Sequence, residues 1–175
     1  MLPTLQKALL ASFTVAASLA LFERPAHAQN KLSIDVGASF PEGAHNDNGW
    51  GAGLRFGREW KIAILSLTPE FDFTYNNFSG ANDATTLQFM AGGRVGIDFI
   101  IEPSVFAHAG VGHVDGAGIS QTSLGYDVGA ALDLTLLPVI DFGPHILWAG
   151  VAGSDTRDAF SWMQIGGHVT FNFGE

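Results

Sequence analysis

Charged and imidazole side chains recur at alternate positions along several stretches of this sequence, where they could form a polar network or bind an ion. Arg55 and Arg94 are the two arginines in this pattern, and His108, His145 and His168 are the three histidines. Side chains two residues apart lie on the same face of a β-strand, so the pattern predicts one polar face per strand. The carboxylates at matching positions are Asp35, Glu70, Asp72, Asp98, Asp127 and Asp141.

Two interpretations of these charges are open. They could fill a closed interior with ion pairs and hydrogen bonds, because desolvating a lone charge costs several kcal/mol. Alternatively, they could line a narrow path for ions. We favour the filled interior, since a barrel of eight strands is just wide enough for its own side chains. We expect Arg94 to pair with Glu70 or Asp72 on the neighbouring strand.

The three histidines allow a metal site or a proton-sensitive cluster. Their spacing is not specific for a metal, and inward histidines are more often hydrogen-bonded parts of a polar interior. The sequence therefore predicts a structural polar network, with no catalytic residue, no metal ligand and no cofactor.

Eight segments of period-2 alternation would position these residues, and each is typical of a strand. Phe106, Leu147 and Trp162 break the alternation by falling on the polar face, which a one-residue bulge or a packed interior would explain. The segments cover residues 32–40, 50–57, 65–75, 87–99, 105–112, 124–133, 140–148 and 163–173.

The links between the segments alternate in length. Long links are predicted near 41–48, 76–85, 115–122 and 150–159, and short ones near 58–61, 100–103 and 135–138. This rhythm is typical of an up-and-down transmembrane β-barrel with short turns on one side and longer loops on the other. An even number of strands places both termini on the side of the short turns.

The composition helps to decide which face meets lipid. Hydrophobic residues make up 47% of the 175 residues, charged residues only 14%, and glycine contributes 22. The glycines crowd the polar faces, where a narrow lumen needs small residues and a solvated sheet does not. Aromatic residues such as Trp50, Tyr75 and Phe173 fall near the ends of the apolar faces, as in interfacial girdles. A membrane barrel is favoured over a soluble β-sandwich or a lipocalin-like barrel.

Residues 1–28 have the three regions of a cleavable signal peptide. Lys7 supplies a positive charge, an uncharged apolar run follows over 8–22, and Ala26-His27-Ala28 provides small residues at Ala26 and Ala28 for the peptidase. The apolar run is short for a membrane-spanning helix of about 20 residues. We expect cleavage after Ala28, which leaves residues 29–175 as the barrel domain.

The strand rhythm, the glycine-rich stretch 105–112 and the last strand resemble the small outer-membrane β-barrel family, which includes OmpX, the OmpA transmembrane domain and opacity-type proteins. Members of that family end in an aromatic residue that follows alternating apolar residues, and Phe171 and Phe173 match this assembly signal, although Gly174 and Glu175 follow. The resemblance implies a location in the outer membrane of a Gram-negative bacterium. It also implies contact with outer-membrane lipid, insertion by the barrel-assembly machinery and a monomeric state.

The predicted function is a structural or surface-interaction role through the extracellular loops. A narrow channel and a lipid-modifying enzyme are the alternatives. The resemblance to lipid-modifying barrels directs attention to His168-Val169-Thr170, but this stretch faces inward and has Thr in place of Ser, so we expect no enzyme. A formal net charge of −9 argues against nucleic acid as a partner, because nucleic-acid binding relies on neutralising phosphates.

Overall fold

The computed structural model describes residues 28–43, 48–62, 64–79, 83–116, 119–137, 139–153 and 158–174. All eight strands pair antiparallel with their neighbours in the chain, and β1 also pairs with β8, which closes the sheet into a barrel. The prediction of an eight-stranded antiparallel up-and-down barrel is therefore confirmed. The strands are β1 (Ala28–Pro41), β2 (Gly49–Ile62), β3 (Leu65–Phe78), β4 (Ala84–Ile97), β5 (Ile101–Gly116), β6 (Ile119–Leu137), β7 (Ile140–Val151) and β8 (Phe160–Phe173).

The predicted signal peptide falls on residues of which the structure describes only the last. Residues 1–27, including Ala26 at the predicted cleavage site, lie outside the described residues, and Ala28 is the first residue of β1. Within the described residues, no helix is long and apolar enough to cross a membrane.

Two of the predicted links are wrong because the strands run further than the alternation suggested. The ladder between β5 and β6 continues to Gly116 and Ile119, so the long link expected near 115–122 is reduced to residues 117–118. Gly116 has a φ of 125°, a backbone conformation that glycine adopts without a steric penalty. The β2–β3 ladder likewise continues to Ile62 and Leu65, which moves the short link from 58–61 to 63–64.

The connections define two ends of the barrel. The start of β1, the end of β8 and the links 63–64, 98–100 and 138–139 define one end, which we call the terminal end. The links 42–48, 79–83, 117–118 and 152–159 lie at the other, which we call the loop end.

The outward face of the barrel is a continuous band of exposed apolar side chains. Val36, Phe89 and Val105 are 58%, 61% and 61% exposed, values that a soluble sheet protein would not show across a whole face. Towards the loop end, Trp50 packs against Tyr75 with ring centroids 5.6 Å apart, as one side of an aromatic girdle. The apolar faces are thus not the core of a soluble sandwich, and hydrocarbon is the solvent that suits them.

The inward face is crowded, which explains the glycines on it. A Cβ atom added to Gly129 would lie 2.5 Å from the Phe106 ring and 2.8 Å from the Leu147 Cβ. Real Cβ atoms do not approach non-bonded carbon atoms that closely, so glycine fits beside these larger side chains without any shift of them. Large and small residues therefore share the lumen, as expected for eight strands.

Candidate functional site

The lumen holds almost all of the residues that the sequence analysis assigned to a polar network. Alternation along each strand directs their side chains inward, where burial removes them from water. The buried members are Asp35, Arg55, Glu70, Asp72, Arg94, His108, Asp127, Asp141, His145 and His168.

Asp98 is the exception, and its assignment to the lumen network needs correction. β4 ends at Ile97, so Asp98 belongs to the turn that follows and its side chain is 33% exposed. Lys61 Nζ lies 2.7 Å from Asp98 Oδ1, which makes the pair a rim contact at the terminal end. Asp98 has the inward parity of β4, but the alternation did not show that the strand ends one residue before it.

Four further charged residues are buried in the lumen, although the sequence analysis did not assign them to the network: Lys31, Glu59, Glu102 and Asp133. Each has the inward parity of its strand. Lys31, Glu59 and Glu102 lie towards the terminal end, beyond the segments first counted as strands, and Asp133 ends the sixth of those segments. Extending the alternation by one to three residues would have identified the first three.

Arg94 makes the most contacts in the middle of the lumen. Its Nε donates to Glu70 Oε1 at 3.1 Å, and its Nη1 donates to Ser104 Oγ at 3.2 Å and to Asp133 Oδ2 at 3.4 Å. The predicted ion pair between Arg94 and Glu70 is confirmed. The register brings this about, because β3 lies beside β4 on one side and Ser104 on β5 lies on the other.

Phe106 lies in contact with both buried arginines. The guanidinium carbons of Arg55 and Arg94 each lie 5.1 Å from the centroid of its ring, within the range of a cation–π interaction. Arg55 also forms a two-pronged ion pair with Asp35 through its Nε and Nη2. Phe106 thus breaks the alternation because it fills the lumen, and the β4–β5 and β5–β6 ladders run through it without a bulge.

His108 also lies in the middle of the lumen, where it joins two carboxylates. Its Nδ1 lies 2.8 Å from Asp127 Oδ1 and its Nε2 lies 3.1 Å from Glu70 Oε2. A carboxylate only accepts hydrogen bonds, so both contacts are hydrogen bonds when the ring carries a proton on each nitrogen. We call the whole layer the charged core; its members are Asp35, Arg55, Glu70, Arg94, Phe106, His108, Asp127, Asp133, His145 and His168.

The three inward histidines do not gather at one point. The rings of His145 and His168 lie 5.9 Å apart and group with Asp35, whereas His108 groups with Asp72 and Asp127. The strand order explains the division, because β7 and β8 are neighbours and β5 is separated from β7 by β6.

Towards the terminal end the lumen opens into a polar vestibule of about 300 Å³. Lys31 Nζ lies 2.6 Å from Glu59 Oε1 and 3.7 Å from Asp141 Oδ2. Asn172 donates to Asp141 Oδ2 at 2.7 Å. We call this space the terminal vestibule; it is lined by Gln29, Lys31, Glu59, Lys61, Thr135, Leu137, Asp141 and Asn172.

Towards the loop end the lumen contains a cluster of packed aromatic and aliphatic side chains. The Phe78 ring packs edge-on against Trp162 at 5.7 Å and against Phe160 at 5.2 Å, and Phe78 and Trp162 are fully buried. Leu147 and Trp162 therefore break the alternation for the same reason as Phe106, because they fill the lumen. We call this cluster the loop-end plug; it consists of Phe78, Ala84, Leu147, Ala149, Phe160 and Trp162.

The residues considered for lipid chemistry are placed away from lipid. His168 and Thr170 are buried in the lumen, and the Thr170 hydroxyl lies 2.7 Å from that of Ser33. The sequence analysis missed an outward-facing histidine, His113, near the loop end of β5. Its Nδ1 lies 2.9 Å from the Thr122 hydroxyl. The parity of β5 would have identified it.

Comparison with known proteins identifies the fold. No protein-family model matches the chain, and no curated protein sequence matches it. Among solved structures, Neisserial surface protein A (NspA) superposes with a TM-score of 0.60 and 18% identity, over 83% of this chain and 96% of that one. The outer membrane enzyme PagL gives 0.59 and 19%, over 83% and 99%.

A third solved structure, Ail, the attachment invasion locus protein of Yersinia pestis, gives a TM-score of 0.55 with 15% identity, over 84% of this chain and 99% of that one. At these identities the comparisons establish the fold alone. The chain has the fold of the small eight-stranded outer-membrane β-barrels.

Proposed function

We propose that this protein is a closed outer-membrane β-barrel that anchors its loop end at the cell surface and acts through those loops. The observation that carries the proposal is the pairing of an exposed apolar band outside with a lumen filled by side chains inside. The band requires lipid, and the filled lumen leaves the connections at the loop end as the surface available to partners.

The outer membrane is the location that suits this architecture. A closed barrel satisfies every backbone hydrogen bond between strands and leaves no edge in lipid. On this proposal residues 1–28 are a signal peptide removed after Ala28, and the mature chain begins at Gln29. Phe171 and Phe173 on β8 would be read by the barrel-assembly machinery, and a closed barrel of this size needs no second copy.

The filled lumen argues against the channel alternative. A solute that entered the lumen through the terminal vestibule would meet the charged core first and then the loop-end plug. The layer of Arg55, Phe106 and Arg94 spans the middle, and Phe78 and Trp162 pack behind it. Conduction would require both layers to move, at the cost of breaking buried ion pairs.

The partner of the loops is expected to carry positive charge. The connections 42–48, 79–83 and 152–159 contain five carboxylates and one arginine in the sequence. One solved structure of Ail contains the heparin analogue sucrose octasulfate. The acidic loops of the present chain would repel such a polysulfate and favour a cationic surface.

Two measurements test the proposal. The mature chain should migrate faster on gels unboiled than boiled after extraction from the outer-membrane fraction, and should give no conductance steps in planar bilayers. Recovery of the protein in the detergent-free periplasmic fraction would refute the membrane location. Ion conductance by the folded protein, identified by its unboiled mobility, would refute the closed lumen.

Loop binding is tested with proteoliposomes on polylysine-coated and heparin-coated surfaces. The wild type should bind polylysine and not heparin, and the variant D155N/D158N should bind polylysine more weakly because it removes two loop charges. The matched control R58Q changes an exposed outward residue of β2 on the barrel wall. Equal binding of D155N/D158N and wild type would contradict a role for the loop charge.

An enzymatic role is the second candidate, and His113 is the observation that favours it. His113 has a hydroxyl partner in Thr122 but, in the described part of the chain, no carboxylate partner. A nucleophile and base without an orienting acid is an incomplete hydrolytic triad. We expect no release of fatty acid from lipopolysaccharide incubated with the folded protein, and release that is lost in H113Q would establish the enzyme instead.

A further inference from the structure

We propose that His145, His168 and Asp35 form a binding site for one divalent transition-metal ion, with Zn²⁺ as the representative, in the charged core of the barrel. The site goes beyond the proposed surface role, because it lies inside the lumen and involves no loop. Three consecutive strands of the barrel supply the ligands: β7, β8 and β1.

The three side chains are close enough to share one ion. One ligand atom from each lies within 4.8 Å of the others. Asp35 and His168 face each other across the β1–β8 ladder, and His145 Nδ1 lies 3.7 Å from Asp35 Oδ1. Only closure of the barrel between the first and last strands creates this juxtaposition.

Three of the four imidazole nitrogens of His145 and His168 have no hydrogen-bond partner in the described part of the chain. His145 has a fully buried side chain, and neither of its ring nitrogens has a hydrogen-bond partner among the residues described. The Nδ1 of His168 is also buried without a partner there. Buried polar atoms are nearly always bonded, so nitrogens without a partner on two neighbouring rings beside Asp35 indicate a ligand. The lone pair of a neutral imidazole is a preferred ligand of Zn²⁺.

Asp133 completes an arrangement that is typical of metal centres. Its carboxylate contacts Nε2 of His168, which leaves Nδ1 as the ring nitrogen available to the proposed ion. An Nε2–H that donates to a carboxylate leaves the lone pair on Nδ1 and fixes the ring orientation. Asp133 is thus a positioning residue for the metal ligand His168.

The charge of the lumen also favours a bound cation. In the described strands, eight buried carboxylates face three buried cationic side chains, an excess of five negative charges when the carboxylates are ionised, or of four when His108 carries a proton on each nitrogen. Uncompensated buried charge is costly, and a divalent ion would neutralise two of these charges. The carboxylates are Asp35, Glu59, Glu70, Asp72, Glu102, Asp127, Asp133 and Asp141, and the cations are Lys31, Arg55 and Arg94.

Asp35 can serve both the ion and its arginine. It accepts two hydrogen bonds from Arg55, and an ionised carboxylate has about four lone-pair positions. A small cavity beside it, lined in part by His145 and Gln164, has room for about one water-sized ligand. Three protein ligands and one water are a common coordination of Zn²⁺ outside purely structural sites.

The second group of histidine and carboxylates in the lumen is a weaker candidate. Asp72, His108 and Asp127 are equally close to one another. Both ring nitrogens of His108, however, are already within hydrogen-bond distance of carboxylates. A metal would have to replace one of those bonds, so His108 serves as the matched control for His145 and His168.

The test uses the untagged, folded mature barrel in detergent. After treatment with a chelator and incubation with excess Zn²⁺, the desalted protein should retain one Zn²⁺ per chain by mass spectrometry of the metal. The variants H145Q and H168Q should lose this stoichiometric zinc. D133N should bind Zn²⁺ roughly 10- to 100-fold more weakly, as is usual when the carboxylate behind a metal-bound histidine is removed.

The controls separate a lost site from a lost fold. H108Q and H113Q should retain the zinc, and the unboiled gel mobility shows which variants are folded. Substitution with Co²⁺ should give visible absorption in the wild type and H108Q that is absent from folded H145Q. Folded wild type without stoichiometric zinc would overturn the proposal, as would zinc retained in H145Q and H168Q or lost only in H108Q.

Discussion

The charged core and the loop-end plug occupy the same lumen but exclude water by different means. In the charged core, directional ion pairs join Arg94 to Glu70 and Arg55 to Asp35. In the loop-end plug, rings such as Phe78 and Trp162 pack without such pairs. The stability of the charged core depends on the identity of each residue in an ion pair, because removing one residue leaves its partner as an unpaired buried charge. The stability of the loop-end plug depends mainly on the volume of its side chains.

The largest expected effect comes from removing Arg94. R94M keeps much of the apolar volume but leaves Glu70 and Asp133 without their guanidinium partner, so the free energy of unfolding should fall by about 3–5 kcal/mol. The measurement is a urea titration in lipid vesicles, with the folded fraction read from unboiled gel mobility. R58M, at an exposed outward arginine of β2, is the matched control and should change little. If R94M and R58M lowered the free energy of unfolding equally, the buried ion pairs of Arg94 would contribute no more to stability than an exposed arginine.

A smaller effect is expected at Gly129, where the two regions meet. The methyl group of G129A would press on the ring of Phe106 and on Leu147, and overpacking of this kind costs about 1–3 kcal/mol. The variant F106L should relieve part of the strain, so the double variant should be more stable than the sum of the single changes predicts. If the two changes in the free energy of unfolding were strictly additive in the same urea titration, the added methyl group would not press on Phe106.

The smallest effect is expected from a conservative change in the loop-end plug. W162F retains an aromatic ring and removes a buried Nε1–H that has no partner in the described part of the chain, so the loss should stay below about 1.5 kcal/mol. R94K is the matched conservative change in the charged core and should cost more, because lysine cannot reproduce the fork of contacts to Glu70, Ser104 and Asp133. If W162F proved the more destabilising of the two, the distinction between the regions would fail.

The sequence alone determined the barrel and the faces of its strands. Period-2 alternation is a local property of a strand. The position of each residue in the alternation was therefore enough to predict that Arg55 and His108 face inward and that Val36 and Phe89 face outward. It also identified Phe106, Leu147 and Trp162 as exceptions, and a packed lumen explains all three. It was less able to locate strand ends, which is why Asp98 was placed in the lumen and the link at 115–122 was made too long. A strand stops where pairing with its neighbour stops, and one segment read by itself does not contain that information.

The tertiary structure alone decided which charges meet. Parity left Arg94 with two candidate carboxylates, and the register selected Glu70 and added Asp133 from β6 across the lumen. Closure placed β8 beside β1 and so brought His168 to Asp35, a contact between residues far apart in the chain. The physical reason is that a face is set by the local backbone, whereas a partner inside a closed barrel is set by register, closure and the width of the lumen.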